Sequence, residues 1–287
     1  MKKILITGAR GQLGRALAAS VPVNYEVTVA DRQALNISDA GSVRAWVNDN
    51  SPDGIINAAA YTAVDKAETE VELAKAANTD GPKNLAVAAA GVGVPLVHIS
   101  TDFVFNGNAG APYTTDDTSD PLSVYGMTKR EGELEVMATH AAQSAIVRTA
   151  WVYDASGNNF VTTMLRLMKE KDSLGVVADQ IGTPTYVHGL AEACWTLLNK
   201  ELTGIFHWTD AGVASWYDFA VAIQEEALEL GILSKSIPIS PLTTADYPTP
   251  AVRPSNSLLD KTDTWQALGI TVPHWRDNLR KALVTLK

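Results

Sequence analysis

Cysteine and positive charge are both scarce in this chain. Its 287 residues include one cysteine, Cys194, so no disulfide can form within the chain. Cys194 lies in the apolar helical pattern of residues 190–195, which predicts a buried thiol with a packing role rather than a nucleophile. The 23 lysines and arginines are outnumbered by 32 acidic residues, and the net charge is −9 without any basic run. Nucleic acid and anionic membranes are therefore not expected as partners.

Long apolar runs and metal-ligand clusters are also missing. The most apolar stretch, Leu85 to Val97, is broken by glycines and a proline and falls short of the ~20 residues that a membrane span needs. The apolar start of the chain is interrupted at Gly8, so it is not expected to be a leader. We therefore expect a soluble, cytoplasmic protein. No metal site is predicted, because the histidines lack ligand spacing; they are His98, His140, His188, His207 and His274.

A glycine-rich turn follows the first apolar run, Ile4 to Thr7. The turn reads Gly8-Ala9-Arg10-Gly11-Gln12-Leu13-Gly14 and continues into a helix-forming stretch. Glycines let a diphosphate approach backbone amides, and a helix start offers unpaired N–H groups and the positive end of a dipole. The first glycine interval is wider than in the usual dinucleotide fingerprint, and a tight turn alone is the alternative. The strand, turn and helix context favours a dinucleotide cofactor bound by Gly8, Gly11, Gln12, Leu13 and Gly14.

The identity of that cofactor depends on the end of the second apolar run. Asp31 lies there at roughly the 20-residue distance where an acid meets the adenosine ribose, and it would favour NADH. Arg32 beside it would pair with a 2′-phosphate and favour NADPH, so the sequence leaves both open. Asn36 and Ile37 follow where an adenine can lie, although Asn is also common in turns for its own sake. Small residues after another strand leave room for the cofactor or serve helix packing alone; they are Ala58, Ala59 and Ala60.

Short β-branched runs alternate with alanine-rich helical patterns in the first half of the chain. The runs are Ile4–Ile6, Val27–Val29, Ile55–Ile56, Leu96–Ile99 and Ala145–Val147. They predict an α/β fold with a Rossmann-type, doubly wound parallel sheet and crossover helices. The later part of the chain loosens into helical stretches at 160–169, 190–198 and 217–230. We predict a dinucleotide-binding domain at 1–150 and a smaller, mainly substrate-binding C-terminal domain at 151–287, with a segment near 184–205 as a candidate to return to the first.

A tyrosine and a lysine four residues apart provide candidate acid–base chemistry. Tyr125 and Lys129 would share one face of a helix, where the ammonium can stabilise the phenolate and bind a nicotinamide ribose. Thr101 follows an earlier strand, Leu96–Ile99, and ligands bind at the carboxyl ends of strands in such sheets. Its hydroxyl could therefore orient a substrate carbonyl beside Tyr125. A surface pair at 125 and 129 and an ordinary turn at 100–102 are the alternatives.

Seven stretches match one known pattern: 8–14, 57–68, 100–105, 125–129, 148–153, 157–160 and 247–254. The chain resembles the extended short-chain dehydrogenase/reductases, and within them the dTDP-4-dehydrorhamnose reductases, over nearly its full length. The stretches 8–14 and 125–129 are shared across the superfamily. The stretches 57–68 and 247–254 are more particular to these reductases.

The resemblance implies that NADPH or NADH reduces the 4-keto group of dTDP-4-dehydro-L-rhamnose to give dTDP-L-rhamnose. In those terms Tyr125 donates the proton, Lys129 binds ribose and adjusts the phenol, and Thr101 orients the keto oxygen. Other positions match residues that contact the substrate; they are Asp102 and Trp151 near the sugar and Arg253 toward the diphosphate.

The chain departs from part of that family at a metal-bridged dimer interface. Some members have glutamates where this sequence has Ala16, His188 and Thr285. We therefore predict no metal, and a monomer or a weak homodimer. Two other functions stay open: a reductase or epimerase of another nucleotide sugar, and a non-catalytic regulatory subunit resembling that of methionine adenosyltransferase. The first should differ around Arg253, and the second would not need Thr101, Tyr125 and Lys129.

Overall fold

The computed structural model describes residues 1–286, and its centre is a parallel sheet of six strands. The strands of the described chain are β1 (Lys2–Thr7), β2 (Tyr25–Ala30), β3 (Gly54–Asn57), β4 (Leu96–Thr101), β5 (Ser144–Thr149), β6 (Val152–Tyr153), β7 (Leu174–Val177), β8 (Ile181–Gly182), β9 (Thr185–Tyr186), β10 (Gly204–Trp208), β11 (Ala214–Ser215) and β12 (Ile239–Leu242). The order of the strands in the sheet is β10-β5-β4-β3-β1-β2. The chain adds β2 on one side of β1 and β3 on the other, and this switch forms a crevice at the carboxyl ends of the strands. This arrangement confirms the predicted doubly wound α/β fold.

Helices cover both faces of the sheet. The α-helices of residues 1–286, on the sheet and elsewhere, are α1 (Gln12–Ala19), α2 (Ala40–Asn50), α3 (Val64–Ala67), α4 (Val71–Lys75), α5 (Gly81–Val92), α6 (Val124–His140), α7 (Phe160–Glu170), α8 (Val187–Asn199), α9 (Trp216–Glu229), α10 (Thr262–Leu268) and α11 (Trp275–Val284). Ile4 and Ile6 of β1 pack under α1 and α8, whereas Leu5 packs on the other face under α2 and α5. Burial on both faces explains why the first strands are nearly continuous apolar runs.

A second core lies outside the sheet. It joins α7, α9 and α11, whose buried residues include Met164, Phe219 and Leu279. Capping boxes begin α7 at Asn159 and α9 at Ser215, in which the cap side chain accepts from the N3 backbone amide. Between these elements, α8 packs against α1 and β10 pairs with β5, so this part of the chain completes the sheet.

Membrane insertion can be assessed from the helices. Over residues 1–286, no helix combines the length and apolarity that crossing a membrane would require.

Candidate active site

A cavity of about 760 Å³ opens at the carboxyl ends of the sheet strands. Segments that follow β1, β2, β3, β4 and β5 line it, together with parts of α6, α9 and the loop at 247–254. Gly14 is the one predicted site residue that does not line it. The predicted residues that the fold brings together there are Gly8, Gly11, Gln12, Leu13, Asp31, Arg32, Asn36, Ile37, Ala58, Ala59, Ala60, Thr101, Asp102, Tyr125, Lys129, Trp151 and Arg253.

The glycine-rich turn requires its glycines for close backbone contacts. Gly8 has a φ of +72°, and a Cβ placed on it would lie 2.5 Å from the carbonyl oxygen of Ala58. Gly14 packs directly against the backbone of Gly8, which explains why it supports the turn without reaching the cavity. Gly11 caps α1 without a side-chain hydrogen bond. The amides at the start of α1 are therefore available to an anionic ligand.

Asp31 is held at the end of β2 by the glycine-rich turn and by its own loop. Its Oδ2 lies 2.6 Å from Nε of Arg10, and its Oδ1 accepts hydrogen bonds from the amides of Gln33 and Ala34. The amide of Ala34 is the largest of several causes that lower the pKa of Asp31. Arg10 also lines the cavity, and the sequence reasoning had not assigned it a role. The end of the cavity beside β2 thus holds Asp31, Arg10 and the exposed Arg32.

The loop after β2 and the segment after β3 complete this half of the cavity. The side-chain oxygen of Asn36 accepts from the amide of Ser38, which is the ordinary turn role of an asparagine. Asn57 accepts hydrogen bonds from Thr7 and from the amide of Ala59. These bonds fix the backbone of residues 58–60 along the cavity wall.

Thr101, Asp102 and Tyr125 lie close together where β4 ends and α6 begins. The Thr101 hydroxyl donates to Oδ1 of Asp102 at 2.9 Å and accepts from the amide of Phe103. Burial raises the pKa of Asp102 to about 6. Burial also raises the pKa of Tyr125 to about 12, while a hydrogen bond with Thr101 lowers it and the charge of Asp102 raises it. The sequence had suggested the opposite direction for Tyr125.

Lys129 is buried one turn after Tyr125 on α6. Its ammonium donates one hydrogen bond to the carbonyl oxygen of Ile99, at the end of the neighbouring strand β4. Burial lowers the pKa of Lys129 to about 8, and the charge of Glu133 one turn further along α6 acts against that decrease. Glu133 in turn accepts two hydrogen bonds from the buried Arg148 of β5.

Trp151 and a second tryptophan, Trp216, form an aromatic part of the cavity wall. The rings of Trp151 and Trp216 stack with centroids 3.6 Å apart, and both residues line the cavity. Trp151 has a left-handed backbone with a φ of +49°, which is costly for a residue with a side chain. A Cβ on Gly182 would lie 2.7 Å from the Trp151 ring, so glycine is needed behind it. The sequence did not predict a role for Trp216, because a single tryptophan outside any motif does not indicate a binding site.

Arg253 is already paired in this structure. Its guanidinium makes a two-pronged ion pair with Asp65 of α3, with N···O distances of 3.0 and 2.9 Å. The sequence had predicted a cation aimed at a diphosphate and had given Asp65 no role, although Asp65 lies within the matching stretch 57–68. Among the described residues, no cluster of three histidine, cysteine or carboxylate side chains could hold a metal ion.

Comparison with known proteins identifies the family of this chain. The model of the family described as RmlD substrate binding domain matches residues 1–287. The chain belongs to the RmlD family. It is 45% identical over 98% of both chains to a protein named dTDP-4-dehydrorhamnose reductase from Aggregatibacter actinomycetemcomitans. This membership confirms the resemblance on which the sequence prediction depended.

Solved structures place the fold of this RmlD-family chain in the same group. A dTDP-4-dehydrorhamnose reductase from Clostridium acetobutylicum has a TM-score of 0.93 and 43% identity, covering 99% of each chain. A dTDP-4-dehydrorhamnose reductase from Bacillus anthracis, solved in complex with NADP, also has a TM-score of 0.93, with 37% identity and 99% coverage of each chain.

Proposed function

We propose that this chain reduces the 4-keto group of dTDP-4-dehydro-L-rhamnose to dTDP-L-rhamnose with NADPH or NADH. The observation that carries the proposal is a single cavity lined by a glycine-rich turn, by Thr101, Tyr125 and Lys129, and by Arg253. A regulatory subunit would have no need of the acid–base group at its centre. The names of the closely similar relatives point to the same reaction.

The cavity has the features that a dinucleotide requires. The amides of Gln12 and Leu13 at the start of α1 would bind a diphosphate, and the 58–60 wall leaves space for it. Asp31 can accept from a 2′-hydroxyl, whereas Arg10 and Arg32 can pair with a 2′-phosphate, so the site supports both cofactors. When bound, the reduced nicotinamide supplies the hydride. Lys129 is the residue that we assign to its ribose.

Tyr125 is proposed as the proton donor to the keto oxygen. Burial raises its pKa to about 12, so the phenol is protonated at neutral pH, as it would be at its ordinary pKa, and can give that proton to an alkoxide that forms beside it. Thr101 is proposed to orient the keto oxygen by turning its hydroxyl from Asp102 toward the substrate. Asp102 and Trp151 would contact the sugar, and Arg253 the diphosphate.

The two cores suggest that two parts of the chain have separate binding roles. We propose that residues 1–150 bind the cofactor, with α8 and β10 as part of the same body, and that most of 151–287 binds the sugar nucleotide. We also propose that the protein is cytoplasmic and works as a monomer or weak homodimer without metal. Ala16, at one family metal position, is buried beneath α8 and offers no ligand atom.

The test is a reductase assay that follows nicotinamide absorbance with the 4-keto sugar nucleotide as substrate. Tyr125→Phe should lower turnover by ~100-fold or more, with cofactor affinity retained. Tyr217→Phe is the matched control, since Tyr217 packs on the second core away from the cavity. A wild-type protein without this activity, or a Tyr125→Phe variant with near-normal turnover, would contradict the proposal.

A further inference from the structure

The ion pair between Arg253 and Asp65 joins two parts of the chain that are 188 residues apart. Nη1 of Arg253 lies 3.0 Å from Oδ1 of Asp65, and Nη2 lies 2.9 Å from Oδ2. A guanidinium and a carboxylate paired in this parallel way fix each other's plane as well as their separation. Asp65 therefore determines the orientation of the Arg253 side chain.

Asp65 holds the backbone of the same loop. Its Oδ1 accepts a hydrogen bond from the amide of Ala251 at 3.2 Å. Nη1 of Arg253 also donates to the hydroxyl of Thr249 and to the carbonyl oxygen of Ala251. The loop at 247–254 is thus fastened to α3 at the edge of the cavity.

The guanidinium still has donors for a ligand. An arginine carries five N–H groups, and the bonds above use the two on Nη1 and one on Nη2. The Nε–H and the second Nη2–H have no partner among the described residues, and Arg253 lines the cavity. An anion can therefore bind Arg253 on a different edge from Asp65, without breaking the ion pair.

We propose that Asp65 is a positioning residue for substrate binding, which presents Arg253 and its loop to the diphosphate of the sugar nucleotide. This inference rests on the proposed function, because it assigns Arg253 to the same ligand. The competing possibility is a latch, in which the diphosphate must displace Asp65 from Arg253. The unused donors and the additional bond to Ala251 favour positioning, since both let the pair persist while the ligand is bound.

The decisive variant is Asp65→Asn, which keeps the shape of the side chain and removes its charge. We expect the KM for the sugar nucleotide to rise by about tenfold, as for loss of a charge-assisted, two-pronged pair. The KM for NADPH and kcat should change by less than about twofold, because none of these contacts reaches Tyr125 or the glycine-rich turn. Glu72→Gln is the control, since Glu72 is an exposed carboxylate of neighbouring α4 and should leave both KM values unchanged.

A double variant separates positioning from a direct contact. If Asp65 acts only through Arg253, Asp65→Asn combined with Arg253→Ala should be no worse than Arg253→Ala alone. Additive losses would overturn the inference, and so would an unchanged or lower sugar KM in Asp65→Asn. A lower KM is the result that a latch would give.

The affinity for dTDP, measured by calorimetry, keeps this inference distinguishable from the proposed reaction. If the wild type binds dTDP and Asp65→Asn weakens that binding about tenfold, the positioning role stands even if the 4-keto sugar is not the substrate. If the wild type reduces the sugar but Arg253→Ala leaves its KM unchanged, the reaction stands and the role of Asp65 is refuted.

Discussion

The buried ion pair behind Lys129 allows a prediction that links stability to chemistry. Glu133 is completely inaccessible and Arg148 is 1% exposed, and the two are joined by hydrogen bonds of 2.9 and 2.8 Å. Arg130 adds a third bond to Glu133 at 2.8 Å. Glu133→Gln keeps the size of the side chain but leaves Arg148 buried without a counter-charge. We expect the free energy of unfolding to fall by about 3–5 kcal/mol, as for other broken buried pairs.

The same substitution should alter the pH dependence of cofactor binding. In its proposed role Lys129 binds the cofactor as a cation, so its contribution is lost as pH rises through its pKa of about 8. Glu133 raises that pKa, and removing its charge should therefore lower it. His98, also close to Lys129, is kept neutral by burial, which lowers its pKa well below the usual value. The alkaline rise in the KM for NADPH should consequently begin at lower pH in the variant.

Urea unfolding and a pH series of NADPH KM values measure the two effects. Glu133→Gln combined with Arg148→Met should recover part of the lost stability, because an apolar pair replaces an uncompensated charge. It should not restore the pH dependence, because the charge facing Lys129 is still absent. A destabilisation below about 1 kcal/mol would mean that this pair behaves like an exposed one. An alkaline limb that stays in place or moves to higher pH would refute the electrostatic link.

Other predictions concern the cofactor turn, the aromatic wall and metal. Gly8→Ala should abolish stabilisation by NADPH in thermal melts, since its Cβ would meet the Ala58 carbonyl at a φ of +72°, whereas Gly91→Ala in open space should retain it. Trp216→Ala should raise the sugar KM by about fivefold through loss of the stack on Trp151, with NADPH KM unchanged; an equal rise in both would indicate general damage. EDTA should leave activity and apparent mass unaltered. A loss of activity that magnesium restores would contradict the prediction that no metal is needed.

Much of the fold could be predicted because its strands are buried on both faces. Five of the six sheet strands occur where the apolar runs indicated, and α7, α8 and α9 occur at the predicted helical stretches. The sixth strand, β10, was not among the predicted runs, and it contains the buried polar residue His207. That imidazole is accommodated by the carbonyl oxygens of Tyr113 and Asp260, which accept from its Nδ1. Such partners come from distant segments and leave no local pattern.

The sequence predicted which residues line the cavity, but not which side chains contact one another there. Residues that follow parallel strands share one edge of the sheet, so short motifs could identify the lining of the cavity. The partner of Arg253 could not be found in this way, because spacing along the chain does not indicate which acid a distant loop will meet. The stacking of Trp151 on Trp216 could not be predicted for the same reason.

The surroundings of Tyr125 explain why the spacing of Tyr125 and Lys129 suggested a lower pKa than the buried phenol has. A lysine one helical turn away would stabilise a phenolate in water, but here Lys129 donates to Ile99 and the phenol is buried. Burial removes the solvation of the phenolate and raises the pKa to about 12. In the proposed role of Tyr125 as proton donor, the phenol is protonated at neutral pH with or without this shift. The raised pKa instead makes it a weaker acid, and the hydrogen bond with Thr101 offsets part of the rise by stabilising the phenolate.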